Sequence, residues 1–434
     1  MNLKLISTLS LVTLALMACS QDPLLSNDAQ VGPNPELPDT TNYLIPPMQV
    51  PEFEGWKNNK QPKVAEGLVI EKIADELLHP RQVYALPNND ILVVEANGPG
   101  EAPTTTPKQL IASMVKGKSG KGAKGGNRVT LLRKTNVGEW NKYILLENLH
   151  SPFGIQHIGE TLYVANTHNI MKYPFKVGQL EITEAGEEVA DLPDTVNHHW
   201  TKAMVASPDG TKLYVGVGSN SNVGENGLAI EYRRATVLEV DIQSGASRIY
   251  ASGIRNPTGL QIEPNTQKLW AVVNERDEIG SSLVPDYLTS VQDGGFYGWP
   301  YSYFGQHLDP RVKQQRPDLV RQSIHPDYAL GSHVAPLGLW FSSGNSLPPR
   351  FQNGVFVSNH GSWNRSPLNG YNVVFISFQN GKPVGKPKTV VSGFYSEDES
   401  KLYGAPVGIT QDQTGALIIA DDVGRTIWRV SGKS

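Results

Sequence analysis

From about residue 66 onward the chain repeats one arrangement of apolar and polar positions. A short apolar run is followed by a turn rich in Gly, Pro, Asn or Asp, then by a second apolar run that ends in a polar residue. The copies lie at 81–96, 151–167, 200–219, 255–275, 335–361 and 405–422, and the fifth has an insertion between its two runs. Four copies share a Pro-x-Gly-apolar signature: Pro152-Phe153-Gly154-Ile155, Pro257-Thr258-Gly259-Leu260, Pro336-Leu337-Gly338-Leu339 and Pro406-Val407-Gly408-Ile409. Further strand-like runs fall between the copies, at 128–133, 235–240, 371–378 and 426–430. Copies spaced by roughly 50–80 residues, with about four strands each, predict an all-β, six-bladed β-propeller over 63–434, with loop and short helical insertions. Radial repetition lets a large all-β chain avoid long open sheet edges. A sandwich of duplicated hairpins would not require the repeated Pro-x-Gly.

Three stretches break the pattern. Residues 99–127 predict a short helix at 108–115, then the run KGKSGKGAKGG. Ala112 stands where a phosphate loop needs its first Gly, so this run is expected to be a mobile, solvated basic loop. Residues 286–333, rich in Tyr, Pro, Asp and His, follow the fourth copy and are expected to wall the channel mouth. The N-terminus has Lys4, an apolar run at 9–18 too short for a membrane span, and Leu16-Met17-Ala18-Cys19, which resembles a bacterial lipobox. The expectation is a signal peptide at 1–18 and a lipidated Cys19. With Ser20 after it, this places the protein in the periplasm, anchored by its lipid, at the outer membrane. Residues 19–62 hold eight prolines and little apolar periodicity, and are expected to form an extended tether.

Composition narrows the picture in two ways. Cys19 is the only cysteine, so the processed chain has no thiol for a disulfide, a nucleophile or haem attachment. A net charge of −4 and a pI near 6.2 do not call for nucleic acid.

Polar clusters sit beside the inner runs of three copies. They are Asn197-His198-His199, then Arg255-Asn256 with the charged loop Asn274-Glu275-Arg276-Asp277-Glu278, and Asn359-His360-Gly361-Ser362-Trp363-Asn364-Arg365. In a propeller they converge at one end of the channel. A histidine titrating near neutrality serves as a general base. A guanidinium fork matches a carboxylate, and loop oxygens suit Ca²⁺.

With these motifs in order (HHW, SPDGTKLYVGVGS, RNPTGL, VNERDE, DGGFYGWP, HGSWNR and ADDVGRTIWRV), the chain from about 66 to 432 resembles the pyrroloquinoline-quinone-dependent sugar dehydrogenases. The similarity is to their sorbosone/pyranose dehydrogenase branch, related to soluble glucose dehydrogenase. The resemblance implies PQQ and Ca²⁺ as cofactors and a sugar, or a sugar-derived aldehyde or alcohol, as substrate. His199 would be the base on the sugar hydroxyl. Arg255 and Asn256 would contact the quinone, and His360 and Arg365 would hold its far side. The main-chain carbonyls of Glu275 and Arg276 would hold Ca²⁺. Lacking a haem motif, the protein would pass electrons to a separate acceptor, a quinone or cytochrome. The chain departs from the branch at Tyr403-Gly404-Ala405-Pro406-Val407-Gly408, where the family pattern has an Arg in place of Ala405. A Ca²⁺-dependent propeller lactonase and a non-catalytic glycan- or protein-binding propeller are the alternatives, and fold alone does not choose among them.

Overall fold

The repeated apolar runs become paired strands, and the pairs are the inner halves of radially arranged sheets. The computed structural model describes residues 24–41, 47–99, 117–122, 124–194, 199–362 and 364–433. Six antiparallel sheets form the blades of a β-propeller. Blade 1 is Pro80–Ala85, Ile91–Glu95, Arg128–Lys134 and Trp140–Leu146; blade 2 is Gly154–Ile158, Thr161–Ala165, Asn169–Pro174 and Glu187–Asp191. Blades 3, 4 and 5 begin at Met204–Ala206, Pro257–Ile262 and Pro336–Phe341. In blade 6, Pro406–Gln411, Leu417–Asp421 and Thr426–Gly432 are completed by Leu68–Ala74, which comes from the other end of the propeller sequence. That strand exchange closes the ring with backbone hydrogen bonds.

The apolar runs are continuous because each sheet is covered on both faces. Along Leu269–Val273 of blade 4, Leu269, Ala271 and Val273 pack into one cluster with Val205 and Val237 of blade 3, whereas Trp270 and Val272 pack with Leu339, Val355 and Val357 of blade 5. In blade 6, Ile419 faces Phe375 of blade 5 and Ile418 faces Val93 of blade 1. Each fully buried aliphatic side chain contributes about 1.5–3 kcal/mol of transfer free energy.

The structure gives the Pro-x-Gly signature a physical cause. A Cβ on Gly154 would lie 2.6 Å from the Lys202 carbonyl oxygen of the next blade. One on Gly259 would meet the Leu339 backbone at 3.2 Å, one on Gly338 the Val407 carbonyl oxygen at 2.3 Å, and one on Gly408 the Arg81 carbonyl oxygen at 2.7 Å. Each glycine therefore permits the inner strands of adjacent blades to touch around the channel.

Two expectations change. The 286–333 stretch is not a single insertion, because Pro285–Ser290 and Tyr328–Ser332 are the third and fourth strands of blade 4 and only the chain between them is inserted. The stretch expected as a tether is mostly extended where described, yet it is docked on the propeller. Val31–Gly32 extends blade 4 by pairing with Tyr328–Ser332, and Glu52–Phe53 pairs in parallel with Lys401–Leu402. Trp56 packs against Phe394, Tyr403 and Trp428, and its indole N–H donates to Asp421 at 2.6 Å. Aromatic contacts supply the burial that the composition of this segment does not suggest. The helix expected at 108–115 and Cys19 lie outside the described residues.

Gly338→Ala should destabilise the protein by about 1–3 kcal/mol, the usual range for overpacking. Gly117→Ala, which meets nothing within 4 Å among the described residues, should be close to neutral. Thermal unfolding of the two variants checks this, and equal midpoints would mean that the blades can separate without cost. Asp421 also accepts from the amides of Ala405 and Gly424 and the indole of Trp428. Burial nevertheless outweighs these donors and pushes its carboxyl up to about 7. An unfolded Asp titrates near 3.9, so the folded state binds the proton more tightly and this group withdraws stability as pH rises from about 4 to 7. Denaturant midpoints across that interval should fall less steeply in Asp421→Asn than in the parent chain.

Candidate active site

The antiparallel inner hairpins put the start of each first strand beside the end of each second strand: Pro80 pairs with Glu95, Gly154 with Ala165, Pro336 with Asn359 and Pro406 with Asp421. Polar residues flanking those points therefore collect at one mouth of the channel. His199, Arg255, Asn256, Glu275, His360 and Asp422 are all delivered there by the ends of the inner strands.

His199 precedes the first strand of blade 3. Its Nδ1–H donates to the Ser219 carbonyl at 2.8 Å, which leaves the ring lone pair on Nε2 in the neutral tautomer. Gly218 sits between this histidine and Asn256: a Cβ there would lie 2.5 Å from His199 Cβ and 2.3 Å from Asn256 Oδ1. The glycine thus sets the spacing of two residues that come from different blades.

Arg255 is 3% exposed and heavily committed. Its Nε donates to the Asn222 carbonyl at 3.1 Å, Nη2 to Asn222 Oδ1 at 2.9 Å, and Nη1 to the carbonyls of Asn274 and Glu275 at 3.2 and 2.6 Å. Asn222 also accepts from the Asp277 amide and the Trp299 indole, so one asparagine of the blade 3 loop organises the blade 4 loop. Asp286 accepts from the amides of Glu275 and Ala335 and fixes the same loop from behind.

This geometry bears on the metal expectation at Glu275. The Glu275 carbonyl is bonded by Arg255, so a divalent cation there would stand against a buried positive charge. The Arg276 side chain is fully buried; it pairs with Glu275 and Asp309 and donates to the carbonyls of Pro300 and Ser302. These bonds give the Arg276 side chain a structural role, clamping the blade 4 insertion. Among the described residues, no group of three or more His, Cys, Asp or Glu is arranged to hold a metal ion.

His360 and Arg365, expected to act together, make separate contacts. His360 Nε2 donates to Asp422 at 2.9 and 3.1 Å, and burial pushes the imidazole down to about 4, so it is neutral at physiological pH. Arg365 donates to the Ser332 carbonyl at 3.3 Å and to Gln30 Oε1, on the N-terminal segment, at 3.4 Å. Asn364, beside it, donates to Asp277 at 2.7 Å.

The Asp422 group was not anticipated. Asp422 is 1% exposed and pairs with Arg81 and His360, with His79 Nε2 at 3.7 Å. The Arg81 guanidinium lies 5.6 Å from the Trp200 ring and 5.7 Å from the Phe153 ring, and its Nε is buried with no acceptor among the described residues. Lys121, in the middle of the basic run expected to be solvated, reaches the Tyr371 hydroxyl at 3.3 Å. Ala405 is fully buried in an apolar cluster, and its amide is held by Asp421. The sequence signal was faint: Asp422 ends the sixth copy where polar clusters end the others, and Arg81 follows Pro80 at the start of the first. Asn197, His198 and Trp363 lie outside the described residues.

The TrAA12-like family model matches residues 62–285 and 306–433. The chain belongs to that family. A curated relative, an uncharacterised protein of Borreliella burgdorferi, is 28% identical over 301 residues, covering 66% of this chain and 77% of that one. Among solved structures, the PQQ domain of Coprinopsis cinerea pyranose dehydrogenase in its holo form aligns with a TM-score of 0.67 at 16% identity, covering 86% of this chain and 97% of that one. A calcium structure of the Trichoderma reesei carbohydrate-active enzyme family AA12 aligns with a TM-score of 0.70 at 18% identity, covering 87% and 100%. The fold is therefore shared with these enzymes, and the resemblance to PQQ-dependent sugar dehydrogenases is supported.

Gly218→Ala should displace His199 and Asn256 without unfolding the blades. The expected result is an unchanged circular dichroism spectrum with altered histidine ring resonances in the NMR spectrum. Unmoved resonances would mean that Gly218 does not set the spacing.

Proposed function

We propose that the protein is a sugar oxidoreductase that works with pyrroloquinoline quinone. The observation that carries the reading is the pairing, at one channel mouth, of a histidine with its lone pair fixed on Nε2 and a buried guanidinium with an unsatisfied N–H. The residues fit the group. A carboxylate-bearing planar molecule would supply the missing acceptor for Arg81 Nε, and the Trp200 and Phe153 rings stand beside that guanidinium. Asn256 Oδ1 and Asn274 Oδ1, both buried without donors, favour donor-bearing neighbours at the same mouth. The calcium ion implied by the resemblance does not fit the Glu275 carbonyl as Arg255 occupies it.

Bound there, the quinone would supply the two-electron acceptor. Arg81 would anchor one of its carboxylates. His199 Nε2 would take the proton from the sugar hydroxyl whose carbon is oxidised. The Ser219 carbonyl would stabilise the resulting imidazolium through Nδ1–H, the service that an orienting acceptor gives a catalytic histidine. Ser219 and Gly218 together would keep the imidazole from turning, and Asn222 would keep Arg255 and the blade 4 loop in place while substrate enters. Electrons would leave to a separate acceptor. Lipidation at Cys19 and residence in the bacterial envelope belong to the same proposal.

Purified apoprotein, titrated with pyrroloquinoline quinone with and without calcium, should bind the quinone, and Arg81→Ala should weaken binding. Tryptophan quenching reads both. His199→Ala should keep the quinone bound and lose dye reduction by about 10²–10⁴-fold across a panel of sugars, the range for a general base. Absence of quinone binding at micromolar concentration would overturn the cofactor assignment. Turnover retained in His199→Ala would remove that residue as the base, and lactone hydrolysis without quinone would favour the hydrolase alternative.

A further inference from the structure

The repeated signature contains a position that the chemistry above leaves unused. The residue after the apolar one is Gln156 in blade 2, Gln261 in blade 4 and Trp340 in blade 5, and Tyr84 holds the same register in the first strand of blade 1. The inner strands start at the charged mouth, so these side chains gather at the opposite end of the channel. There they line a cavity of about 370 Å³, together with Gln411 and Asp412 of the blade 6 turn.

Gln411 is fully engaged by Ser343 and Gly415, whereas the other neutral polar groups named are only partly used. Gln156 Nε2 donates to the Met204 carbonyl at 3.2 Å, and its Oε1 has no donor among the described residues. Gln261 Oε1 accepts from the Ile262 amide at 3.1 Å, and its Nε2 has no acceptor among them. Trp340 Nε1 is buried and has no acceptor among the described residues. The Tyr84 hydroxyl makes one long bond, 3.4 Å, to the His157 carbonyl, and keeps its capacity to accept. Asp412 brings no available charge: its carboxylate accepts from the amides of Thr414 and Ala416 and pairs with Arg429 at 2.8 Å.

Spare amide donors and acceptors between two aromatic side chains, without a free charge, match one ligand chemistry well. A sugar hydroxyl both donates and accepts, and the C–H faces of a sugar ring pack on aromatic surfaces. The volume lies within the range of roughly 300–1,000 Å³ typical of small-molecule pockets. We propose that the second mouth of the channel is a binding site for a neutral saccharide unit, separate from the mouth that carries His199. This proposal does not rest on the oxidoreductase reading. A chain with both would hold a glycan at one end of the propeller axis while its chemistry takes place at the other.

The test uses the full chain carrying His199→Ala, titrated with D-glucose and cellobiose and, for contrast, with sodium gluconate. Saturation-transfer NMR reads binding and tryptophan fluorescence reads the site. The expected result is saturable binding of the neutral sugars, weaker binding of gluconate, and a loss of about three- to tenfold in affinity for Gln261→Leu, and again for Trp340→Phe, the size of one neutral hydrogen bond. Trp340→Phe keeps an aromatic ring in place, and thermal midpoints near that of the parent would show both variants folded. Absence of saturable binding by either sugar would overturn the proposal. So would affinities unchanged by both substitutions, which would place the sugar elsewhere on the protein.

Discussion

The structure depends on how closely six inner strands can be brought around one axis. Backbone-to-backbone contact between neighbouring blades leaves no room for a Cβ at Gly154, Gly259, Gly338 and Gly408. In blade 3, which lacks the signature, the contact passes to Gly216, where a Cβ would lie 2.4 Å from the Pro257 carbonyl oxygen. The glycines fix the diameter of the ring. That diameter decides which side chains at the two mouths can reach one another. Closure through Leu68–Ala74 then makes the ring a covalent continuum with hydrogen-bonded ends, and Trp56 reinforces the same seam through Asp421.

Once the ring is set, burial dictates the arrangement of charge at the mouth. Arg255 and Arg276 are adjacent to the same loop and nearly or fully buried, and an unpaired guanidinium there would be very costly. Each is instead neutralised or solvated by fixed protein groups: Arg276 by two carboxylates and two carbonyls, Arg255 by carbonyls and the Asn222 amide oxygen. Arg81 differs. It has a carboxylate partner in Asp422 but keeps a buried Nε–H without an acceptor. A buried donor left unmade costs about 1–3 kcal/mol, and native structures seldom retain one unless something else satisfies it. That contrast, more than the number of basic residues, separates a structural arginine from one poised toward a ligand.

The architecture was legible in the sequence because it rests on local patterns. The inner hairpins, the outer strands and the Pro-x-Gly signature all occupy the places that their periodicity indicates, and the continuous apolar runs report sheets covered on both faces. Partnerships that cross the ring were not legible. Arg81 meets Asp422 across 341 positions, and Arg365 meets Gln30 across 335. Nothing in RNPTGL or VNERDE indicates that the guanidinium of the first would bond the carbonyl of the second. The N-terminal segment misled for a related reason. Its proline content argues for extension, which is observed, but docking depends on single residues such as Trp56 meeting a surface formed elsewhere.

The two mouths of the channel also differ in a way that follows from the strands themselves. In blades 1, 3, 4 and 5 the connections that leave the second inner strand at the first mouth are long and polar, and in blades 2 and 6 they are short; together they carry carboxylates, imidazoles and guanidinium groups. At the other mouth the connections within the hairpins, except the longer one of blade 5, are tight turns, capped by residues such as Asp412, Asp209 and Glu263 whose carboxylates are consumed by their own turn amides. Turn formation therefore uses up the charge at that end, and what remains toward the axis is the neutral register of the inner strands. The same antiparallel connectivity thus produces one mouth rich in buried charge and another at which the turn carboxylates are consumed locally. The contrast between the two ends of the axis follows from the topology.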